Sequence, residues 1–222
     1  MAAPLSTTVL RTVPLFAGLS DEQLRLLVGV VTRRNVARGM IVIVEGDPTD
    51  SLYIIIAGRL KVMMSDTEGK EVILAMLGPG EFFGEMGLID DSPRSATVMA
   101  VEPCDLIVIT KREFKKILAD NFEMAMTVMR GLVRRLRDAD RKIGSLALLD
   151  VYGRVARLLI DMSELVNGQR VVAKRLPKQD IAKMIGASRE MVSRVMRDLQ
   201  LGGYIEMRGS QIVVREKILL PD

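Results

Sequence analysis

At 222 residues with 49% apolar content and a formal net charge of +4, the chain is long enough to bury one large core or two modest ones. It has no histidine and a single cysteine, Cys104. These counts exclude histidine acid–base catalysis, histidine-ligated haem, the usual zinc sites, disulfide frameworks and one-chain iron–sulfur clusters, so the composition points away from an enzyme and away from a metal, haem or iron–sulfur cofactor.

Apolar runs such as IVIVEG and LYIIIAG end within a few residues at a charge or turn residue, and no leader-like segment opens the chain. A soluble, cytoplasmic protein with no membrane partner is expected. Ser20-Asp21-Glu22-Gln23 has the Ser-x-x-Gln form of a capping box ahead of LRLLVGVV, which predicts a short amphipathic helix starting at Ser20. From Met40 the apolar period becomes two. MIVIVEG, SLYIIIAG, RLKVMMS, EVILAML, ATVMAVE and CDLIVIT are short β-rich runs separated by Gly, Pro, Asp and Ser, predicting a compact antiparallel barrel or roll. The stretch GEMGLIDDSPRSATV breaks this pattern, crowding acids and glycines around the pair Arg94-Ser95.

After Lys111 the pattern turns helical. Leu118, Phe122, Ala125, Met129, Leu132, Leu136, Ala139, Ile143 and Leu146 alternate spacings of four and three, a heptad seam flanked by Arg134, Arg135, Arg137, Asp138, Asp140, Arg141 and Lys142. A helix packed only on its own barrel needs a wider stripe, so the seam predicts a parallel two-chain coiled coil and a homodimer.

Leu148-Leu149-Asp150 reads as a break, followed by a helix from Val151 and a turn around Asn167-Gly168. Pro177 to Ile185 reads as a helix closed at Gly186; Ser188 is the N-cap of the next, which runs from Arg189 to about Leu201. Helix, glycine turn, helix is the helix-turn-helix pattern. On the second helix Val192, Val195, Met196 and Leu199 face a core, leaving Arg189, Glu190, Ser193 and Arg194 on the opposite face. Arginine pairs bidentately with guanine and glutamate accepts from cytosine, so this face suits a major groove; the other reading is an exposed helix with a Glu190–Arg194 pair. Gly202-Gly203 leads into strands Tyr204–Met207 and Gln211–Arg215 joined at Arg208-Gly209-Ser210, a wing with Arg208 at its tip for phosphate. Charge agrees: residues 151–222 hold 13 Lys+Arg against 8 Asp+Glu, whereas residues 1–150 hold 19 against 20. A dimer of such helices calls for a two-fold symmetric double-stranded DNA operator.

This order of parts resembles the CRP/FNR (catabolite activator protein) superfamily over nearly the whole chain. GEFFGEMGL with PRSATV looks like its phosphate-binding cassette, LALLDVYGR its hinge and IGASREMVSRVMRDL its recognition helix. The resemblance implies an α+β architecture: an N-terminal antiparallel β-roll for cyclic nucleotide (1–112), a long dimerisation helix (113–147) and a C-terminal winged helix-turn-helix (148–222). It further implies a TGTGA-like operator read by Arg189, Glu190 and Arg194, with Ser188, Ser193 and Arg208 beside them. An RNA polymerase contact is implied as well, although the segment between Leu159 and Lys178 is shorter than the activator's.

In the cassette, Gly84 lets backbone approach an anion, the amides of a short helix beginning near Glu85 point at it, Arg94 supplies charge and Ser95 a hydroxyl. Glu85 suits a ribose 2′-hydroxyl. Leu136 and Asp140 on the dimer helix complete the expected ligand set. The family's adenine-contacting Thr-Ser pair aligns with Ala139 and Asp140, which departs from the pattern. Cyclic AMP is the expected effector because the cassette is intact. Arg135-x-x-Asp138 and Arg137-x-x-Asp140 leave cyclic di-GMP open, since Arg and Asp together match guanine edges, and leave open too that these residues are solvated flanks of a coiled coil. A regulator that ignores nucleotides is the remaining alternative. The expected mechanism couples the cassette to the segment Leu136–Asp140, and through it to the hinge near Leu149-Asp150 and the spacing of the two recognition helices.

Overall fold

A computed structural model describes residues 5–173 and 176–215; the extreme ends of the first and last expected domains lie outside these. The chain forms two compact units that meet in sequence between Arg135 and Leu136.

The first unit opens with α1 (Thr7–Arg11), a 3-10 turn at Pro14–Phe16 and α2 (Asp21–Val28). The predicted capping box is present: Ser20 Oγ accepts from the Gln23 N–H at 3.2 Å and Gln23 Oε1 from the Ser20 N–H at 2.9 Å. Strands β1 (Thr32–Val36), β2 (Ile41–Ile43), β3 (Ser51–Ala57), β4 (Leu60–Ser65), β5 (Glu71–Leu77) and β6 (Phe82–Phe83) follow, then the one-turn α3 (Met86–Ile89), β7 (Thr97–Ala100) and β8 (Cys104–Thr110). They form two antiparallel four-stranded sheets, ordered β1-β8-β3-β6 and β2-β7-β4-β5.

All six predicted β-runs contain a strand. The run SLYIIIA is continuously apolar because β3 is buried on both faces: Leu52 and Ile54 pack with Leu10, Phe16 and Phe114 on the helical side, while Tyr53 and Ile55 pack with Leu60, Val98 and Leu106 inside the roll. Each such side chain contributes about 1.5–3 kcal/mol when fully buried. Two strands carry no such pattern. β1 reads TRRNV and is an edge strand fixed by pairing with β8, where Arg33 Nε donates to Asp105 Oδ1 at 2.8 Å; β6 has only two residues.

The helical region departs from a single seam. α4 (Lys111–Asp120) stops at Asn121, which is extended (φ −139°, ψ 99°), and α5 (Phe122–Leu148) starts afresh. The cause is local: Asn121 Oδ1 accepts from the Met124 N–H at 2.8 Å, ending one helix and capping the next. Leu118 therefore packs against the roll core with Met124, Val128 and Leu132. Of the predicted seam, Leu132 is also taken by the roll core, but Phe122, Met129, Leu136 and Ile143, seven residues apart, are 72%, 46%, 63% and 65% exposed. An apolar stripe at that period is what a two-stranded coiled coil covers.

The second unit contains the C-terminal part of α5, α6 (Val151–Asp161), β9 (Glu164–Val166), β10 (Gln169–Val172), α7 (Lys178–Ile185), α8 (Arg189–Leu201), β11 (Ile205–Arg208) and β12 (Gln211–Val214). Asp150 Oδ1 caps α6 by accepting from the Gly153 N–H at 2.8 Å. The sheet order is β11-β12-β10-β9. The Asn167-Gly168 turn is flanked by strands rather than loop: both residues have positive φ, 49° and 78°, the geometry that lets a two-residue turn match strand twist. Val155, Leu159, Ile181, Val192, Leu199 and Ile212 form the shared core. Among the described residues, no helix is long and apolar enough to cross a membrane.

Candidate nucleotide and DNA sites

Gly84 sits between β6 and α3 with φ +84°, and a Cβ there would lie 2.5 Å from Arg94 Nη1 and 3.1 Å from the Ser51 carbonyl oxygen. Only glycine accepts both the dihedral and the approach. The contact exists because Arg94 turns inward: its side chain is 5% exposed, Nη1 donates to the Gly84 carbonyl at 2.9 Å, and Nη2 donates to the Ser51 carbonyl at 2.9 Å and to Asp50 Oδ1 at 3.1 Å. The loop from β2 to β3 grips the same residue by its backbone, since Arg94 N–H donates to the Asp47 carbonyl and Gly46 N–H to the Arg94 carbonyl, each at 2.9 Å. Ser95 is exposed, with its hydroxyl 3.7 Å from Met86 Sδ.

Glu85 and Arg94 do not pair with each other. Glu85 is fully buried at the N-cap of α3, and its Oε1 accepts from Arg135 Nη1 on α5. Arg135 also donates to the Phe82 carbonyl through Nη2, and its guanidinium lies 5.2 Å from the centre of the Phe82 ring. Glu85 Oε2 is buried and has no hydrogen-bond partner. A buried carboxylate oxygen without a donor is costly, and one next to Gly84, which itself touches Arg94, is an acceptor suited to a ligand hydroxyl. Gly84, Glu85, Arg94 and Ser95 are thus brought together. Leu136 and Asp140 lie on the other side of the division, in the second unit, and both are exposed.

The loop after α3 is tethered by charge. Asp91, in a left-handed conformation (φ 59°), takes Lys111 Nζ at 2.7 Å and Lys115 Nζ at 2.9 Å, both at the start of α4. The hydrogen bond from Lys111, then that from Lys115, pushes the Asp91 carboxyl down from 3.8 to about 2. A carboxyl lowered on folding contributes stability above its unfolded value, and that contribution is lost as pH falls through the folded one. The tether is expected to be intact at about pH 4 and to open as the pH falls through about 2; a carboxyl NMR titration of Asp91, absent in Asp91→Asn, measures this directly. Cys104 is buried, its Sγ 3.2 Å from the Arg59 carbonyl and 3.1 Å from that of Glu102, and burial pushes its thiol up, away from the reactive thiolate.

In the second unit, Gly186 ends α7 in the left-handed conformation (φ 64°, ψ 46°), and Ser188 Oγ caps α8 by accepting from the Met191 N–H at 3.2 Å. Val192, Val195, Met196 and Leu199 are buried as the spacing requires. Arg189, Glu190 and Arg194 are exposed; among the described residues the structure shows no Glu190–Arg194 ion pair, so this face is not spent on itself. Ser193 is half-buried and lines a groove with Lys178, Met196, Arg197, Gln200 and Met207. Lys178 at the start of α7 and Arg197 on α8 itself are two cations that periodicity alone did not single out. At the wing, Arg208 lies next to the Gly209 turn, with Nε 2.7 Å from Glu206 Oε1 and Nη1 3.3 Å from Gln169 Oε1. Glu206 also pairs with Arg215, and the Arg208 hydrogen bond leads in holding its carboxyl below the usual range.

A roll carrying an inward arginine and a glycine-backed buried glutamate, followed in the same chain by a winged helix-turn-helix, defines a ligand-binding module joined to a DNA-binding module. Comparison with known proteins agrees on both: residues 33–121 match the cyclic nucleotide-binding domain and residues 153–220 the Crp-like helix-turn-helix domain. The chain is 34% identical over 200 residues to the cAMP-activated global transcriptional regulator Vfr of Pseudomonas aeruginosa, covering 86% of this chain and 92% of that protein. It is 32% identical to the cyclic AMP receptor protein of Thermus thermophilus, over 94% of this chain and 95% of that one. It also resembles the solved structure of the c-di-GMP responsive global regulator CLP of Xanthomonas campestris (TM-score 0.74, 29% identity, 88% of this chain and 99% of that chain). The chain belongs to the CRP family of transcriptional regulators.

Proposed function

We propose that the protein is a homodimeric, sequence-specific DNA-binding regulator whose effector is cyclic AMP, with residues 1–112 as the nucleotide-binding roll, 113–147 as the dimerisation segment and 148–222 as the DNA-binding domain. The observation that carries the nucleotide reading is the buried Glu85 with its unpartnered Oε2 beside Gly84 and Arg94. In this reading Arg94 and Ser95 hold the cyclic phosphate, Gly84 lets the backbone approach it and Glu85 accepts from the ribose 2′-hydroxyl. Leu136 and Asp140 meet the ligand from α5. The effector supplies an anion and a base edge that bias one conformation of the chain; to act, it binds the DNA-competent form more tightly than the other.

Cyclic AMP is supported by the names of relatives such as Vfr and by the commitments of the α5 side chains. Arg135 is held by Glu85, and Asp138 by Arg141, so the first of the two Arg-x-x-Asp pairs is engaged within the chain. Cyclic di-GMP is the second reading, favoured by the likeness to CLP and by Ala139 and Asp140, neither of which carries a hydroxyl. Calorimetric titration with each nucleotide, repeated with Asp140→Ala, separates the two. Cyclic AMP binding unaffected by the variant supports the first reading; cyclic di-GMP binding lost in the variant supports the second; no binding of either leaves a nucleotide-independent regulator.

Arg189, Glu190 and Arg194 read a TGTGA-like half-site, with Ser188, Ser193 and Arg208 beside the phosphates, and RNA polymerase is the partner once DNA is bound in the cytoplasm. Arg189→Ala is expected to weaken specific operator binding by about 1–3 kcal/mol and to relax selection at one base pair per half-site. A competition binding series over single-base operator variants measures this; an unchanged preference at every position would remove Arg189 from the reading set.

A further inference from the structure

The charge around Arg94 has one unbalanced feature. Among the carboxylates on the segments that form the cassette, Glu85 is neutralised by Arg135, and Asp91 by Lys111 and Lys115. Asp50 is another. It stands at the end of the β2–β3 loop with its side chain 80% exposed, and its sole ion-pair partner among the described residues is Arg94. Its position is set by backbone, because the Lys111 N–H donates to the Asp50 carbonyl at 2.7 Å. The inward guanidinium, the one cation that Gly84 touches, therefore already carries a carboxylate on Nη2 before any ligand arrives.

We propose that Asp50 is a specificity-determining residue: by partly neutralising Arg94 it makes the cassette accept the single charge of a phosphodiester and reject the double charge of a phosphomonoester. The inference rests on the reading of the cassette as a cyclic-nucleotide site. A phosphomonoester carries about −1.5 to −2 at neutral pH, whereas a cyclic phosphodiester carries a single charge and cannot take a second. With Asp50 in place, the first ligand charge is balanced by Arg94 and the second faces a carboxylate within the same guanidinium's reach. Like charges at such range repel, and the repulsion is moderated by solvent on the exposed side of Asp50. Selection against the hydrolysed, linear form of the effector is the consequence, and it lets the signal end when the ring is opened.

The test is Asp50→Asn in the full-length protein, titrated by calorimetry with cyclic AMP and with 5′-AMP, and in parallel with cyclic di-GMP and its linear, ring-opened form. Because the side chain is largely exposed and the bond from Lys111 is to backbone, the asparagine variant retains the local frame; Asp50→Glu restores the charge. The expected result is that affinity for the linear monoester rises by about tenfold more than affinity for the cyclic ligand, and that Asp50→Glu returns the wild-type ratio. Equal weakening of both ligands would show that Asp50 only orients Arg94, and an unchanged ratio that it has no part in selection; either overturns the proposal. If wild-type protein binds none of the four, the cyclic-nucleotide reading itself fails, a result distinguishable from both.

Discussion

Replacing Arg94 by leucine is expected to lower cyclic-nucleotide affinity by more than about 100-fold, since charge-assisted hydrogen bonds to an anion are worth roughly 1.5–3 kcal/mol each and a guanidinium makes two. It also has a structural cost. The carbonyls of Gly84 and Ser51 accept from this side chain in the interior, and each buried acceptor left without a donor costs on the order of 1–3 kcal/mol. The roll should unfold at a lower temperature, while the α5 seam from Phe122, which does not involve Arg94, keeps the chain dimeric. Arg94→Lys separates the effects: it retains a charge but not the planar fork, so it should recover only part of the affinity. Calorimetric titration, thermal unfolding and sedimentation of the three proteins give the measurements. Undiminished affinity in Arg94→Leu would withdraw the cassette assignment.

The second large effect is expected at Arg135. Its removal leaves the Glu85 carboxylate fully buried with neither oxygen partnered, as Oε2 has no donor already. Breaking a buried pair by deleting one member costs on the order of 3 kcal/mol, because the remaining charge is uncompensated. Arg135→Ala should therefore destabilise the first unit far more than an exposed helix arginine would, and should also loosen α5 from β6, since the same guanidinium bonds the Phe82 carbonyl and covers its ring. Glu85→Gln combined with Arg135→Ala should be more stable than Arg135→Ala alone, because the charge that needed a partner is gone. Chemical unfolding of the two single variants and the double variant gives the coupling; additive effects would show that the two side chains do not depend on each other.

Most of the secondary structure was legible because it is written in local chemistry. The Ser20–Gln23 capping box, the apolar β-runs, Gly186 with Ser188 and the heptad spacing from Phe122 each act within a few residues. The missed elements lack such local marks. β1 is polar and exists because β8 offers it a ladder; β6 is held by β3. The β9–β10 hairpin did carry a mark, Asn167-Gly168, whose positive φ values imply paired strands on either side as well as a turn. Leu118 fitted the heptad spacing, and only the cap made by Asn121 assigns it to the roll.

The cassette divides in the same way. The sequence by itself marked Gly84, Glu85, Arg94 and Ser95 as one short-range group, given a proposed role by its resemblance to the family's cassette, and the structure brings these four residues together. The sequence also determined the exposed face of α8, through the four buried residues opposite. Tertiary structure alone decided what each charge is paired with: Arg94 with Asp50, 44 positions earlier, and Glu85 with Arg135, 50 positions later. Ion pairs over such separations have no periodicity, because their cost and benefit depend on burial and on which strands and helices the fold brings together, and neither quantity is a property of neighbouring residues.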